Sequence, residues 1–177
     1  MPVLIAVRHA PPLVSGMCAG HADIPVEPPE PAARRVCEAL SGYDLARIVA
    51  SPTARANELA RELSRRLGAP LRLDDRLREL HFGSWEGRAW SEIEQNEALA
   101  LSAWMKQWRT ARPPGGESVD ELEQRVRCCI EELAAAPTLL VTHAGVIRAA
   151  LVLTAGLSWA EAMGRAVAYL EPVVLPR

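Results

Sequence analysis

Three apolar runs in this chain end in residues that can handle a tetrahedral anion. Val3 to Val7 leads into Arg8-His9, Arg47 to Ala50 into Ser51-Pro52-Thr53-Ala54-Arg55, and Thr138 to Thr142 into His143. An imidazole can attack phosphorus or carbon and can carry a proton near neutral pH. A guanidinium offers a planar fork of donors that matches two oxygens of a phosphate or carboxylate. Glu79 is a further carboxyl in the chain. Each residue alone has an ordinary structural explanation: a histidine closing a strand, an arginine on a solvated helix face, a surface glutamate. Their joint placement argues for more, because open parallel sheets bind ligands beyond the carboxyl ends of their strands. Arg8, His9, Arg55 and His143 are therefore predicted to meet in one crevice that holds an anion.

The elements that must position them are legible as hydrophobic patterns. The run Val3 to Val7 has no polar alternation, which marks a strand buried on both faces. A Pro-rich segment follows to about Pro29, then a helix over Glu30 to Leu40. Ser51 is predicted to cap the helix that carries Leu59, Leu63 and Leu67, with Pro52 at its first position and Gly68 at its end. Leu71 to Leu73 reads as a third strand. Ala89 to Arg109 reads as helical and holds three of the five tryptophans. Pro113-Pro114-Gly115-Gly116 breaks the chain, and Ser118 with Glu121 makes a capping box for the next helix. A helix from Gly145 to Gly156 and a last strand over Ala166 to Leu175 complete the pattern. Strands alternating with helices predict one three-layer α/β/α sandwich over residues 1–177, with a mostly parallel sheet and a helical insertion over the site at about 88–115.

Bulk properties narrow the partners. The net charge is -2, so no global field favours nucleic acid or an anionic membrane, and an anion must be held by a local cluster. The uncharged stretch from Ala149 to Ala160 is short of the ~20 residues of a membrane span. The apolar start lacks a basic region and is cut by Arg8, unlike a signal peptide. Cys18, Cys37, Cys128 and Cys129 follow no metal or disulfide spacing and read as reduced thiols. These features predict a cytoplasmic protein, monomer or homodimer, with a small-molecule partner and neither nucleic acid nor membrane.

Five motifs in order resemble the histidine phosphatase superfamily, also called phosphoglycerate mutase-like. They are Val7-Arg8-His9-Ala10, Ser51-Pro52-Thr53-Ala54-Arg55-Ala56, Arg78-Glu79-Leu80-His81-Phe82-Gly83, Pro114-Gly115-Gly116-Glu117-Ser118 and Val141-Thr142-His143-Ala144-Gly145-Val146-Ile147-Arg148. The resemblance implies a metal-independent phosphomonoesterase without cofactor, in which His9 forms a phosphohistidine. Arg8, Arg55 and His143 would hold the phosphoryl oxygens, and Glu79 would serve as acid and base. It also implies substrate contacts at Ser15, His21, Trp85, Ser118 and Ala144. The first motif departs from the family: Ala10 stands for glycine, and Pro11-Pro12 removes two amide donors. Alanine is tolerated there only if its φ is negative.

Within the superfamily, Gly20-His21-Ala22-Asp23-Ile24-Pro25, Phe82 to Gly87 and Ser102 to Trp108 resemble the α-ribazole phosphatase subfamily. That likeness implies hydrolysis of α-ribazole 5′-phosphate in cobalamin biosynthesis, with the insertion's tryptophans either walling an aromatic base or packing the insertion onto the sheet. A broad-specificity phosphatase, a phosphoglycerate mutase-like enzyme and a weakly active phosphate-binding or regulatory protein stay open as alternatives.

Overall fold

A computed structural model describes residues 2–176; Met1 and Arg177 lie outside the described residues. Five strands, β1 (Leu4–Arg8), β2 (Arg47–Ala50), β3 (Leu71–Leu73), β4 (Thr138–Thr142) and β5 (Pro172–Leu175), form one sheet in the order β3-β2-β4-β1-β5. The pairs β1–β4, β2–β4 and β2–β3 are parallel, and β5 runs antiparallel on the β1 edge. Seven α-helices accompany them: α1 (Pro29–Ala39), α2 (Ala54–Leu67), α3 (Trp90–Asn96), α4 (Ala98–Lys106), α5 (Val119–Glu132), α6 (Ala144–Ala155) and α7 (Trp159–Gly164).

The two-residue period of β1 divides the core. Ile5 and Val7 pack with Ala33 and Val36 of α1 and Leu59 and Leu63 of α2. Leu4 and Ala6 pack with Leu122 and Val126 of α5 and Val146, Ile147 and Ala150 of α6 on the opposite face. This is the α/β fold with a mostly parallel sheet that the sequence pattern predicts.

Several boundaries differ from expectation. Helix α2 starts at Ala54 with Thr53 at its N-cap, so Ser51 and Pro52 stay in the loop; the Ser51 hydroxyl is engaged with the site instead. The last strand is only four residues long, because Arg8 draws residues 167–170 into an irregular turn: Arg8 Nη1 donates to Val167 O, and Leu170 N donates to Arg8 O. Helix α7, capped by Ser158 and Glu161, was not anticipated.

The 89–109 segment divides into α3 and α4. It packs on a small core of its own, in which buried Cys18, Trp85 and Ile93 meet Phe82, Trp90, Leu101 and Trp104. No helix among the described residues is long and apolar enough to cross a membrane. All four cysteines are free, and burial pushes the Cys18 and Cys129 thiols up to about 12.

Candidate active site

The parallel order β2-β4-β1 places three strand ends side by side, with Arg8 opposite Thr142 and Ala50 opposite Val141. The next residue of each strand, His9, Ser51 and His143, therefore emerges at one edge. Arg55 joins them from the first turn of α2. All four are buried, with no more than 5% of their surface exposed.

The hydrogen bonds of His9 set its tautomer. Nδ1 lies 2.8 Å from the Ala10 carbonyl, which can only accept, so Nδ1 carries the proton and Nε2 keeps its lone pair. Burial, then the positive charges of Arg55 and Arg8, bring the His9 pKa down to about 3. The ring is thus neutral at ordinary pH. Arg55 Nε approaches Nε2 at 3.3 Å, while Nη1 and Nη2 bind the carbonyls of Ala22 and Gly20 at 2.7 and 2.6 Å.

His143 sits 5.0 Å from His9, centroid to centroid. Its Nε2 meets Ser51 Oγ at 2.9 Å and Thr53 Oγ1 at 3.2 Å. Both hydroxyls are able to donate, which frees Nδ1 to hold the proton. Burial and the neighbouring His9 hold its pKa well below the ordinary histidine value. Among the described residues, His143 Nδ1 and Arg8 Nε are buried nitrogens without a hydrogen-bond partner. Such orphans are costly in a folded interior and mark a place where an acceptor belongs.

Two residues that the sequence reading missed hold this cluster. Tyr169 accepts from Arg8 Nη2 at 2.7 Å, lies under its guanidinium at 3.6 Å, and meets His9 edge-on at 5.6 Å. The turn that aims it uses Leu170 at φ 64°, a conformation that is costly outside glycine. Leu170 is the single described non-glycine residue with positive φ, so Ala10 meets the condition for replacing glycine. Arg125 pins the other side by donating to the carbonyls of Arg76, Arg78 and Glu79.

That anchor sets the Glu79 carboxylate against the start of α6, where Oε2 accepts from Gly145 N at 3.2 Å and Oε1 from Leu80 N at 2.9 Å. A Cβ on Gly145 would lie 2.2 Å from Glu79 Oε1, so a larger residue there would push the Glu79 carboxylate out of its place against α6. The charge of Glu79 reaches both Arg8 and Arg55 and supports their protonated forms against burial.

The remaining predicted contacts divide. Ala144 opens α6 beside His143. His21 holds the Glu79 carbonyl through Nε2 at 2.8 Å and stacks on His81 at 4.6 Å. Ser118 is spent on the capping box of α5. Ser15 is exposed on its loop, where Leu13 N pairs with Pro25 O. Trp85 faces no substrate; it is wholly buried, and its Nε1 donates to Glu97 Oε2 at 2.8 Å.

His21, His81 and Glu86 bring possible ligand atoms within 4.8 Å of one another. The fold already uses two of those groups. Glu86 Oε1 accepts from the backbone of His21 and Phe82, and His21 Nε2 is engaged by Glu79 O.

Beside Glu79 opens a cavity of about 540 Å³, lined by Phe82, Trp104, Met105, Trp108, Trp159 and Arg148 among others. It flanks the His9 cluster rather than covering it.

Comparison with known proteins agrees with this geometry. The model of the histidine phosphatase superfamily, branch 1, matches residues 4–174. The chain is 30% identical over 160 residues to the adenosylcobalamin/alpha-ribazole phosphatase of Escherichia coli, covering 85% of this chain and 76% of that one. It is 36% identical over 114 residues to the glucosyl-3-phosphoglycerate phosphatase of Mycobacterium tuberculosis, covering 58% and 51%. The chain thus spans about half the length of several curated relatives that it matches. The crystal structure of the alpha-ribazole phosphatase from Shigella flexneri superposes with a TM-score of 0.87 at 25% identity, covering 99% of this chain and 94% of that one. The chain belongs to branch 1 of the histidine phosphatase superfamily.

Proposed function

We propose that this protein is a phosphomonoesterase that works through a phosphohistidine at His9, and that α-ribazole 5′-phosphate is its substrate. The observation that carries the mechanism is the His9 tautomer, with Nδ1–H on Ala10 O and the Nε2 lone pair turned toward Arg55. In the first step Nε2 bonds to phosphorus as the bond to the leaving oxygen breaks. Arg8 Nε and His143 Nδ1 donate to the phosphoryl oxygens and stabilise their charge, which is work of positioning and electrostatics. The Ala10 carbonyl stabilises the cationic ring that results. Glu79, having taken up a proton with the substrate, gives it to the leaving oxygen; the carboxylate then takes a proton from the water that attacks the phosphohistidine, and the P–N bond breaks to restore neutral His9. None of these steps needs a metal ion.

The choice of substrate is supported by the Escherichia coli relative, whose match covers most of both chains, whereas the mycobacterial match covers little more than half of each. The test is phosphate release, without metal, from α-ribazole 5′-phosphate, glucosyl-3-phosphoglycerate and 3-phosphoglycerate, with His9→Ala as control. Acid-labile phosphate on wild type, its absence in His9→Ala, and preference for the ribazole ester are the expected results. Turnover that survives in His9→Ala overturns the mechanism. Equal rates on all three esters overturn the substrate alone.

A further inference from the structure

The cavity beside Glu79 is unlike the rest of the surface. Much of its apolar wall comes from three parts of the chain: Trp104, Met105 and Trp108 in or just after α4, Val119 and Leu122 in α5, and Trp159 and Met163 in α7. Trp108 and Trp159 meet edge to face at 5.8 Å, and Trp159 is held by its Nε1 donating to Glu123 Oε2 at 2.7 Å. The flat walls are therefore fixed in place. Met105 and Met163 at the rim are 60% and 52% exposed, large apolar side chains that folding leaves in water. Exposed apolar surface around a concavity is a mark of a binding site, and methionine adapts its shape to what it covers.

One cation stands among these walls. Arg148, one turn into α6 from Gly145, lines the cavity together with Glu79. Its Nε is buried without a partner, and no carboxylate among the described residues pairs with its guanidinium. Most arginines elsewhere in the chain are paired, as Arg125 is with Glu117 and Arg109 with Asp120. An unpaired guanidinium in an apolar wall costs stability unless an oxygen reaches it.

We infer that this cavity is the leaving-group site: it takes the flat, apolar part of the substrate's alcohol, and Arg148 binds an oxygen of that alcohol between the aromatic walls and the phosphoryl group. This rests on the phosphatase reading, which makes Glu79 the boundary between phosphoryl and leaving group. A cavity of this kind selects phosphomonoesters with an aromatic ring over those of small polar alcohols or acids. It assigns Trp104, Trp108, Trp159 and Arg148 to specificity, in place of Trp85.

The test uses His9→Ala, which cannot turn substrate over, titrated by calorimetry with 1-naphthyl phosphate, adenosine 5′-monophosphate and glycerol 3-phosphate. The two aromatic esters are expected to bind at least about tenfold more tightly than the glycerol ester, since burial of one ring is worth more than a decade in affinity. Adding Trp108→Leu should remove most of that preference. Adding Arg148→Met should weaken adenosine monophosphate, which carries ribose oxygens, more than naphthyl phosphate. Melting temperatures check that each variant is folded. Equal affinity for all three esters in the His9→Ala protein overturns the inference without any further variant. Preference for aromatic esters with no phosphohistidine on wild type would instead overturn the His9 mechanism and leave the cavity assignment standing.

Discussion

At the sheet edge, His9, Ser51, Thr53, Arg55 and His143 are almost wholly buried and tied to one another by hydrogen bonds, whereas the neighbouring cavity is walled by tryptophans and methionines that mostly contact carbon. The first region is held by backbone. Strand register places its histidines, and carbonyls of Gly20, Ala22 and Ala10 aim Arg55 and His9. The second is held by side-chain packing between α4, α5 and α7. A hydrogen-bonded cluster tolerates little displacement, as phosphoryl transfer demands. An apolar wall can exchange one ring for another at modest cost, which suits a surface that selects the leaving group. On the proposed reading, the contrast places catalytic rate and substrate preference in separable parts of this fold.

The sharpest way to break that separation is His143→Gln. It removes a buried donor from the phosphoryl site without touching the cavity. We expect kcat to fall by about 10²–10³, the usual loss for one preorganised donor, while the preference between aromatic and glycerol esters persists. Single-turnover rates with both ester types would check this. A variant that lost its preference along with its rate would show the two regions to be coupled.

A smaller effect follows from the burial of His9. Its pKa is about 3 in the folded protein, while an unfolded chain titrates near the ordinary value of 6.5. Between these values the unfolded state binds the extra proton, so stability is full above pH ~6.5 and falls as pH drops toward 3. From pH 7.5 to 5 this one group removes about 2 kcal/mol. Urea unfolding of wild type and His9→Gln at both pH values should show the variant losing less stability by about that amount. Equal losses would mean that the cluster is more open to water than its burial indicates.

The sheet-edge region was legible in the sequence because its residues close an apolar run or open the next helix. His9, Arg55 and His143 could be read in this way, whereas Glu79, in a charged stretch, was marked only by the resemblance of its motif. The residues that support them could not. Tyr169 acts through a left-handed turn at Leu170, and nothing in the residue type announces that conformation. Arg148 was visible in the His143 motif, yet its lack of a partner is a property of the folded surroundings alone. Trp85 was misread because sequence shows that a tryptophan is present but not which way its ring faces. Glu97, twelve residues away, turns it into the core by accepting from its indole.

That correction supplies the smallest of the expected effects. Trp85→Phe keeps a ring in the small core with Cys18 and Ile93 but deletes the bond to Glu97 and leaves a void. Stability should fall by about 1–2 kcal/mol, the scale of one lost hydrogen bond plus a modest cavity. Because Trp104, which packs edge-on against Trp85 in this core, also forms part of the cavity wall, KM for an aromatic ester should rise a few-fold. The kcat for glycerol 3-phosphate should hold, since no hydrogen bond of the His9 cluster passes through Trp85. Denaturant titration and steady-state kinetics on both esters measure the three quantities together. A loss of kcat comparable to that of His143→Gln would mean that the insertion positions the catalytic groups as well as the leaving group, and the division between the two regions would fail at its base.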